Sequence, residues 1–261
     1  MKSGHRYQAF VEGFASTTPC LPLMHVTFGR GFVSILDNGR IEPGERDQVL
    51  EQELSFHFYG QPSYRPKPTG AYGRSVGSAL YCFVLDFNAL PKPSSLLPFD
   101  SGGYASLMKA HCDGLDLTDF LLPPSHDAPG KVVSALFGSN SNYFGMNVRS
   151  SAISEVATFD LHSQGLIRLY NTDGPVPYDQ RAGSIEVHYD APITLTRDNL
   201  LGIIAPDIIC EEPELKAFAA VHDADLIDYS FDHEEPSVRQ RQIRDAAQKW
   251  LASNRYFENI L

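Results

Sequence analysis

Closely spaced cysteines are missing from this chain. Cys20, Cys82, Cys112 and Cys210 stand far apart, which excludes a zinc ribbon or a disulfide framework and predicts reduced, buried thiols. Long apolar runs are missing too. None approaches the roughly 18 residues that cross a bilayer, and the opening Met-Lys-Ser-Gly-His-Arg-Tyr-Gln lacks the apolar core of a secretory signal, so a cytoplasmic protein without a membrane partner is expected. Cations are scarce: 21 Lys and Arg face 32 Asp and Glu, a formal net charge of -11, which argues against sequence-independent adhesion to a phosphate backbone. No Walker loop, His-Glu-x-x-His, Gly-x-Ser-x-Gly elbow, zinc-deaminase signature or EF-hand loop occurs, and no metal site is expected. Gly29-x-Gly31 sits at a strand-to-helix turn, but Ser34 replaces the third glycine of a dinucleotide fingerprint and no parallel repeat follows.

What is present suits one large domain. At 261 residues, 43% hydrophobic and 20% charged, the chain can bury a full core. Its charge is uneven: ten carboxylates lie in 206–235 against Lys216 alone, and five cations then follow from Arg239 to Arg255 against Asp245 and Glu258. Alternation and apolar content predict strands over 21–28, 54–59 and 79–86, the last apolar enough to be central. A helix is expected from Phe32 to a glycine cap at Gly39. Residues 91–98 read as irregular, and Asp100-Ser-Gly-Gly as a turn able to offer backbone N–H groups and Asp100 to a ligand. Helices are expected over 104–122 and 131–143, a weaker one over 150–160, a strand over 165–170 and an exposed loop over 171–180. A last helix over 237–251 carries the only tryptophan, Trp250. Strands, then helices, then strands again is an α+β order.

The stretch Arg-Ala-Gly-Ser-Ile-Glu-Val-His-Tyr, 181–189, organises the rest. As a strand it puts Ile185, Val187 and Tyr189 on one face and Ser184, Glu186 and His188 on the other, so a carboxylate is held rigidly beside a loop.

Several motifs keep a telling order: His25-x-Thr27 before a helix ending Ile-Leu-Asp-Asn-Gly, then Phe-Tyr-Gly-Gln-Pro-Ser-Tyr-Arg, an apolar strand ending Val-Leu-Asp, the Asp-Ser-Gly turn, and Ile-Glu186-Val before Leu-Leu-Gly-Ile-Ile-Ala-Pro. This order resembles the NAD-consuming ADP-ribosyltransferases, most of all the DarT-type nucleic-acid-modifying toxins. The resemblance implies an ADP-ribosyltransferase-like domain with two small sheets forming an NAD cleft, a core over about 21–210 and a C-terminal helical extension over 211–261. It implies NAD as substrate, Glu186 and a displaced Arg65 as catalytic residues, and His25, Thr27, Tyr59, Tyr64, Asp100 and Ser101 as NAD contacts. Tyr178 and Arg181 would hold a macromolecular acceptor, nucleic acid or protein, and an antitoxin or inhibitor would be a partner. Gln61 and Gly31 depart from the family pattern, and Ser184, two before Glu186, disfavours arginine as acceptor.

The chemistry suits the residue types. Breaking the nicotinamide–ribose bond passes through an oxocarbenium-like sugar, which a carboxylate bonded to the ribose 2-hydroxyl stabilises. Two alternatives remain open: a catalytically degenerate NAD- or nucleic-acid-binding module of the same fold, and an NAD glycohydrolase with Asp100 or Asp190 as second carboxylate.

Overall fold

The computed structural model describes residues 5–64, 75–105, 109–112, 115–171, 183–231 and 236–257. Ten helices and nine strands are described. The strands are β1 (Leu23–Phe28), β2 (Arg40–Ile41), β3 (Ser55–Tyr59), β4 (Leu80–Leu85), β5 (Ser95–Leu97), β6 (Glu186–Tyr189), β7 (Ile193–Thr194), β8 (Leu200–Pro206) and β9 (Asp225–Tyr229). The helices are α1 (His5–Glu12), α2 (Gly29–Asn38), α3 (Ser101–Gly103), α4 (Asp127–Leu136), α5 (Asn140–Phe144), α6 (Ala152–Glu155), α7 (Leu161–Asn171), α8 (Asp207–Cys210), α9 (Pro213–His222) and α10 (Pro236–Ser253). The α+β class expected from the element order is what forms. None of these helices is long and apolar enough to cross a membrane.

Seven strands make one mixed sheet in the order β5-β6-β3-β1-β4-β8-β9, and β2 pairs with β7 apart from it. This corrects the expectation of two small sheets. It also corrects that of a purely helical C-terminal extension, because β9 joins the large sheet in parallel to β8. All other neighbours in the sheet are antiparallel. β4 is buried along its whole length, as its unbroken apolar run requires of an interior strand. β1, the middle strand, pairs with β4 over all six of its residues but with β3 only at Leu23 and Met24. Beyond Met24 the two strands part, and His25 Nδ1 lies 2.9 Å from the Phe56 carbonyl across the gap.

Helices cover the sheet through apolar stripes. Phe32 of α2 stacks on Tyr81, with ring centroids 4.0 Å apart, and Ile243, Ala247 and Leu251 of α10 are fully buried at a spacing of four. A separate aromatic layer joins Tyr7, Phe99, Tyr104 and Phe120. All four cysteines are free thiols; three are buried and Cys20 is half-buried.

Several expected elements come out differently. Residues 165–170 are helical, not a strand: Asp160 accepts from Ser163 N at 3.1 Å and from Ser163 Oγ at 2.6 Å, a side-chain cap that starts α7 upstream of the apolar run. The 104–122 helix does not form, and the described part holds two short 3-10 turns, Lys109–Cys112 and Leu117–Phe120. The sequence there carries Ser106, Asp113, Gly114, Asp116 and Thr118, all unfavourable inside a helix. The 131–143 helix is split by Gly138, whose φ of 78° ends α4 before α5 begins. Only Ala152–Glu155 of the 150–160 helix is helical, and three residues of the segment read as irregular, Ser95–Leu97, pair with β6.

Tyr143 ties this framework together at the start of β6. Its hydroxyl donates to the Tyr59 carbonyl at 2.9 Å and accepts from the Ile185 N–H at 3.0 Å. Burial raises its pKa, so it stays a neutral donor. Tyr143→Phe strands two buried backbone groups and is expected to cost about 1–3 kcal/mol in urea unfolding. An unchanged midpoint would mean that the two strands hold their spacing without the hydroxyl.

Candidate active site

Glu186 opens β6, and both faces of that strand are buried. The side chain is only 1% exposed, so it is not the surface glutamate that a half-exposed strand would carry. A carboxylate out of water needs partners, and this one has two. Oε2 accepts from the backbone N–H of Ser101 at 3.2 Å, and Oε1 lies 2.5 Å from His188 Nε2. His188, fully buried, sits two residues on along the same face, and its Nδ1 lies 2.7 Å from Ser95 Oγ. Glu186 accepts from the ring's Nε2–H, and the ring's Nδ1 is hydrogen-bonded to the Ser95 hydroxyl. The result is a buried hydrogen-bonded line from half-buried Ser95 to the carboxylate. The Phe56 ring closes on His188 edge-on, 5.3 Å between centroids.

The turn that supplies Ser101 N–H is built by Asp100. Its side chain caps the short α3 by accepting from Gly103 N, which fixes the angle at which Ser101 meets Glu186. The turn of Asp100 and Ser101 is thus set against Glu186 through the Ser101 N–H. Ser184 faces Gln61, and Gln61 donates to the Tyr143 carbonyl at 3.1 Å, so this departure from the family pattern is a buried support.

Register separates the other expected residues. Met24 pairs with Phe58 and Phe58 with Glu186, so these three share a face; His25 lies on the opposite face with His57 and Val187. The structure therefore does not bring His25 and Thr27 into one cleft with Glu186. Gly31 packs over Thr27: a Cβ there would stand 2.1 Å from Thr27 Oγ1, which explains why glycine occupies that position here. Tyr59 is fully buried, and its hydroxyl accepts from Leu21 N at 2.9 Å, a structural role. Tyr64 packs edge-on against Phe28 at the end of β1, 5.1 Å between centroids. Asp190 is exposed and bonded by Ser94. Arg65, Tyr178 and Arg181 lie outside the described residues.

Neither His188 nor Ser95 is among the site residues that the sequence suggests, although the alternation places His188 on the face of Glu186. The spacing Glu-x-His in a strand did put both side chains on one face, and that was the available signal; Ser95 had none, because its strand is three residues long.

On Glu186's face the parting of β1 from β3 leaves half-buried Val26 and Phe56 and exposed Phe28 on the two sides of the gap. Of these, Phe56 lies beside the acid's hydrogen-bonded line, edge-on to His188, while Phe28 stands at the far end of β1 against Tyr64. No group of three or more His, Cys, Asp and Glu among the described residues is arranged to hold a metal.

The opposite face holds a second polar cluster. His25 and His57 lie 5.0 Å apart by ring centroids, and the Tyr189 ring stands edge-on to His57. His57 Nε2 is 3.0 Å from Ser55 Oγ, while its Nδ1 and the Tyr189 hydroxyl are buried without partners. Burial lowers the pKa of both histidines below 6.5; for His57 the nearby His25 and His188 lower it further. The unfolded chain therefore binds more protons than the folded one once pH drops below about 6.5. Stability is expected to be full above that pH and to fall as the pH drops from about 6.5 to 5, by up to about 1.4 kcal/mol per pH unit for each histidine kept neutral. His57→Phe should flatten the profile by one proton, read from urea unfolding at pH 7, 6 and 5; parallel profiles would show that His57 titrates normally in the fold.

Compared with known proteins, the chain matches no family model, no curated protein and no solved structure.

Proposed function

We propose that the chain is an NAD-consuming ADP-ribosyltransferase, with Glu186 as the catalytic carboxylate and a macromolecule as acceptor. The observation that carries this is the placement of Glu186: a buried acid, aimed by Ser101 N–H and His188, on the face where β1 and β3 part and Phe28 and Phe56 flank the gap. The order of sequence motifs supports the same conclusion. A flat nicotinamide or adenine ring suits an aromatic wall, and the acid suits a sugar that turns cationic.

On this proposal the ribose 2-hydroxyl takes the place of the Ser101 N–H on Glu186 Oε2, one donor exchanged for another. The bond between ribose C1 and the nicotinamide nitrogen breaks, its electron pair leaving with nicotinamide. The negative carboxylate stabilises the cationic sugar, and a lone pair of the acceptor closes on C1. The acceptor's proton passes to Glu186. His188 and Ser95 hold the carboxylate in place and connect it to the edge of the sheet. His25 and Thr27 drop out of the reacting centre, because they face the other way. Ser184, packed on Gln61, leaves no acidic or amide side chain two residues before Glu186, so nucleobases and side chains other than arginine are the preferred acceptors.

A second function, that of an NAD-binding module without turnover, is favoured by the 1% exposure of Glu186, because the sugar reaches the acid only if the Ser101 contact opens. One assay separates the two. Incubation with labelled NAD and separate pools of DNA, RNA and protein is expected to release nicotinamide and label one pool. Glu186→Gln keeps the shape and removes the charge, and should reduce both by about 100-fold or more while the variant still binds NAD. Turnover within a few-fold of the unsubstituted protein would remove Glu186 from the chemistry; NAD binding with no nicotinamide release would favour the module.

A further inference from the structure

A second site lies at the far edge of the sheet, remote in sequence from Glu186. β9 is bonded to β8 along one side over five residues, and among the described residues no strand occupies its other side. Along that edge runs a groove of about 600 Å³. It is lined by every residue from Asp225 to Ser230, not by alternate ones, so it follows the strand's backbone edge and not one of its faces. Its opposite wall is one stripe of α10, with Gln242, Ala246, Trp250 and Ser253 along it. Trp250 Nε1 donates to Asp225 Oδ2 at 2.7 Å, which clamps the end of the helix to the start of the strand and keeps the groove's width.

We infer that this groove binds an extended, cationic segment of another protein, added to the sheet beside β9. An open strand edge presents backbone donors and acceptors at the spacing that a second strand satisfies, and a helix alongside gives the incoming side chains a wall. Charge selects the occupant. Asp225, Asp228 and Asp245 line the groove against Lys249 alone, and Asp228 and Asp245 are exposed. Lysine or arginine side chains at adjacent positions of an extended peptide, which point to opposite sides, would meet Asp228 on one side of the strand and Asp245 on the other. The same carboxylates repel a phosphate backbone. They also oppose a second copy of this chain, whose β9 would bring its own Asp225 and Asp228 into the same short ladder.

Trp250 lines the groove and is the only tryptophan, so its emission reports occupancy directly in the full chain. Titration with a decapeptide repeating lysine–lysine–valine–valine, which carries lysines on both sides when extended, is expected to shift that emission saturably, while the counterpart with glutamate in place of lysine does not. Asp228→Asn with Asp245→Asn, both at exposed positions, should weaken the response about tenfold. The lysine peptide methylated at every second backbone nitrogen, made in both registers, should lose binding in one of them, because only one set of amides faces the strand. No saturable change up to about 1 mM peptide would overturn the assignment. So would equal binding of both methylated registers, or of the acidic peptide. Sedimentation of the chain alone should show a monomer; a dimer whose formation shifts Trp250 emission would give the edge to a second copy and overturn the peptide site.

Discussion

Unequal pairing of β1 governs the molecule. The strand spends all six residues on β4 and only two on β3, so β3 and β6 turn away from it after Met24. A sheet that parts in its middle opens a gap between strands that are otherwise well anchored, and walls of that kind can be rigid and reachable together. His25 Nδ1 against the Phe56 carbonyl bridges one side of the parting; Phe28 and Phe56 are left less than fully buried at its rims. At the base of the parted strands, the Tyr143 hydroxyl bonds both β3 and the residue before Glu186, so the spread is held at a set width.

Burial then dictates the polar chemistry on each face. A carboxylate taken out of water is stable only with donors in place, and Glu186 finds one in a backbone N–H and one in an imidazole that is itself bonded to Ser95. The Ser101 N–H is available because Asp100 caps the turn that presents it. Two neighbouring segments, 95 and 100–101, are thus interlocked by hydrogen bonds with the remote segment 186–188, and the acid's orientation is a property of all of them. The other face solves its desolvation differently: His25 and His57 stay uncharged, and two buried polar atoms, His57 Nδ1 and the Tyr189 hydroxyl, are left without partners.

The C-terminal part extends the sheet instead of standing apart from it. Residues 211–257 supply α9, β9 and α10, and α10 returns across the sheet so that Ile243, Ala247 and Leu251 are buried while Trp250 reaches the strand edge. Asp225 and Asp228 are exposed on that added strand, and they leave its edge open to pairing but hostile to anions and to its own copies.

Strong local signals survived into the structure. The apolar run of β4, the alternation of β1 and β3, the glycine cap that ends α2 and the Glu-x-His spacing of β6 each depend on residues close in sequence, and each is present. Signals that compete with a nearby cap or with a remote partner did not. The apolar run 165–170 suited a strand by composition and became a helix because Asp160, five residues upstream, capped it; β5 exists only because β6 offers an edge for three residues to join. The site divided in the same way. A carboxylate on a strand and an Asp-Ser-Gly turn were each legible from the chain; that the turn lies against the carboxylate was not. Whether His25 shares a face with Glu186 was not, because that depends on two pairings, β1 with β3 and β3 with β6, and a shift of one residue in either would reverse it.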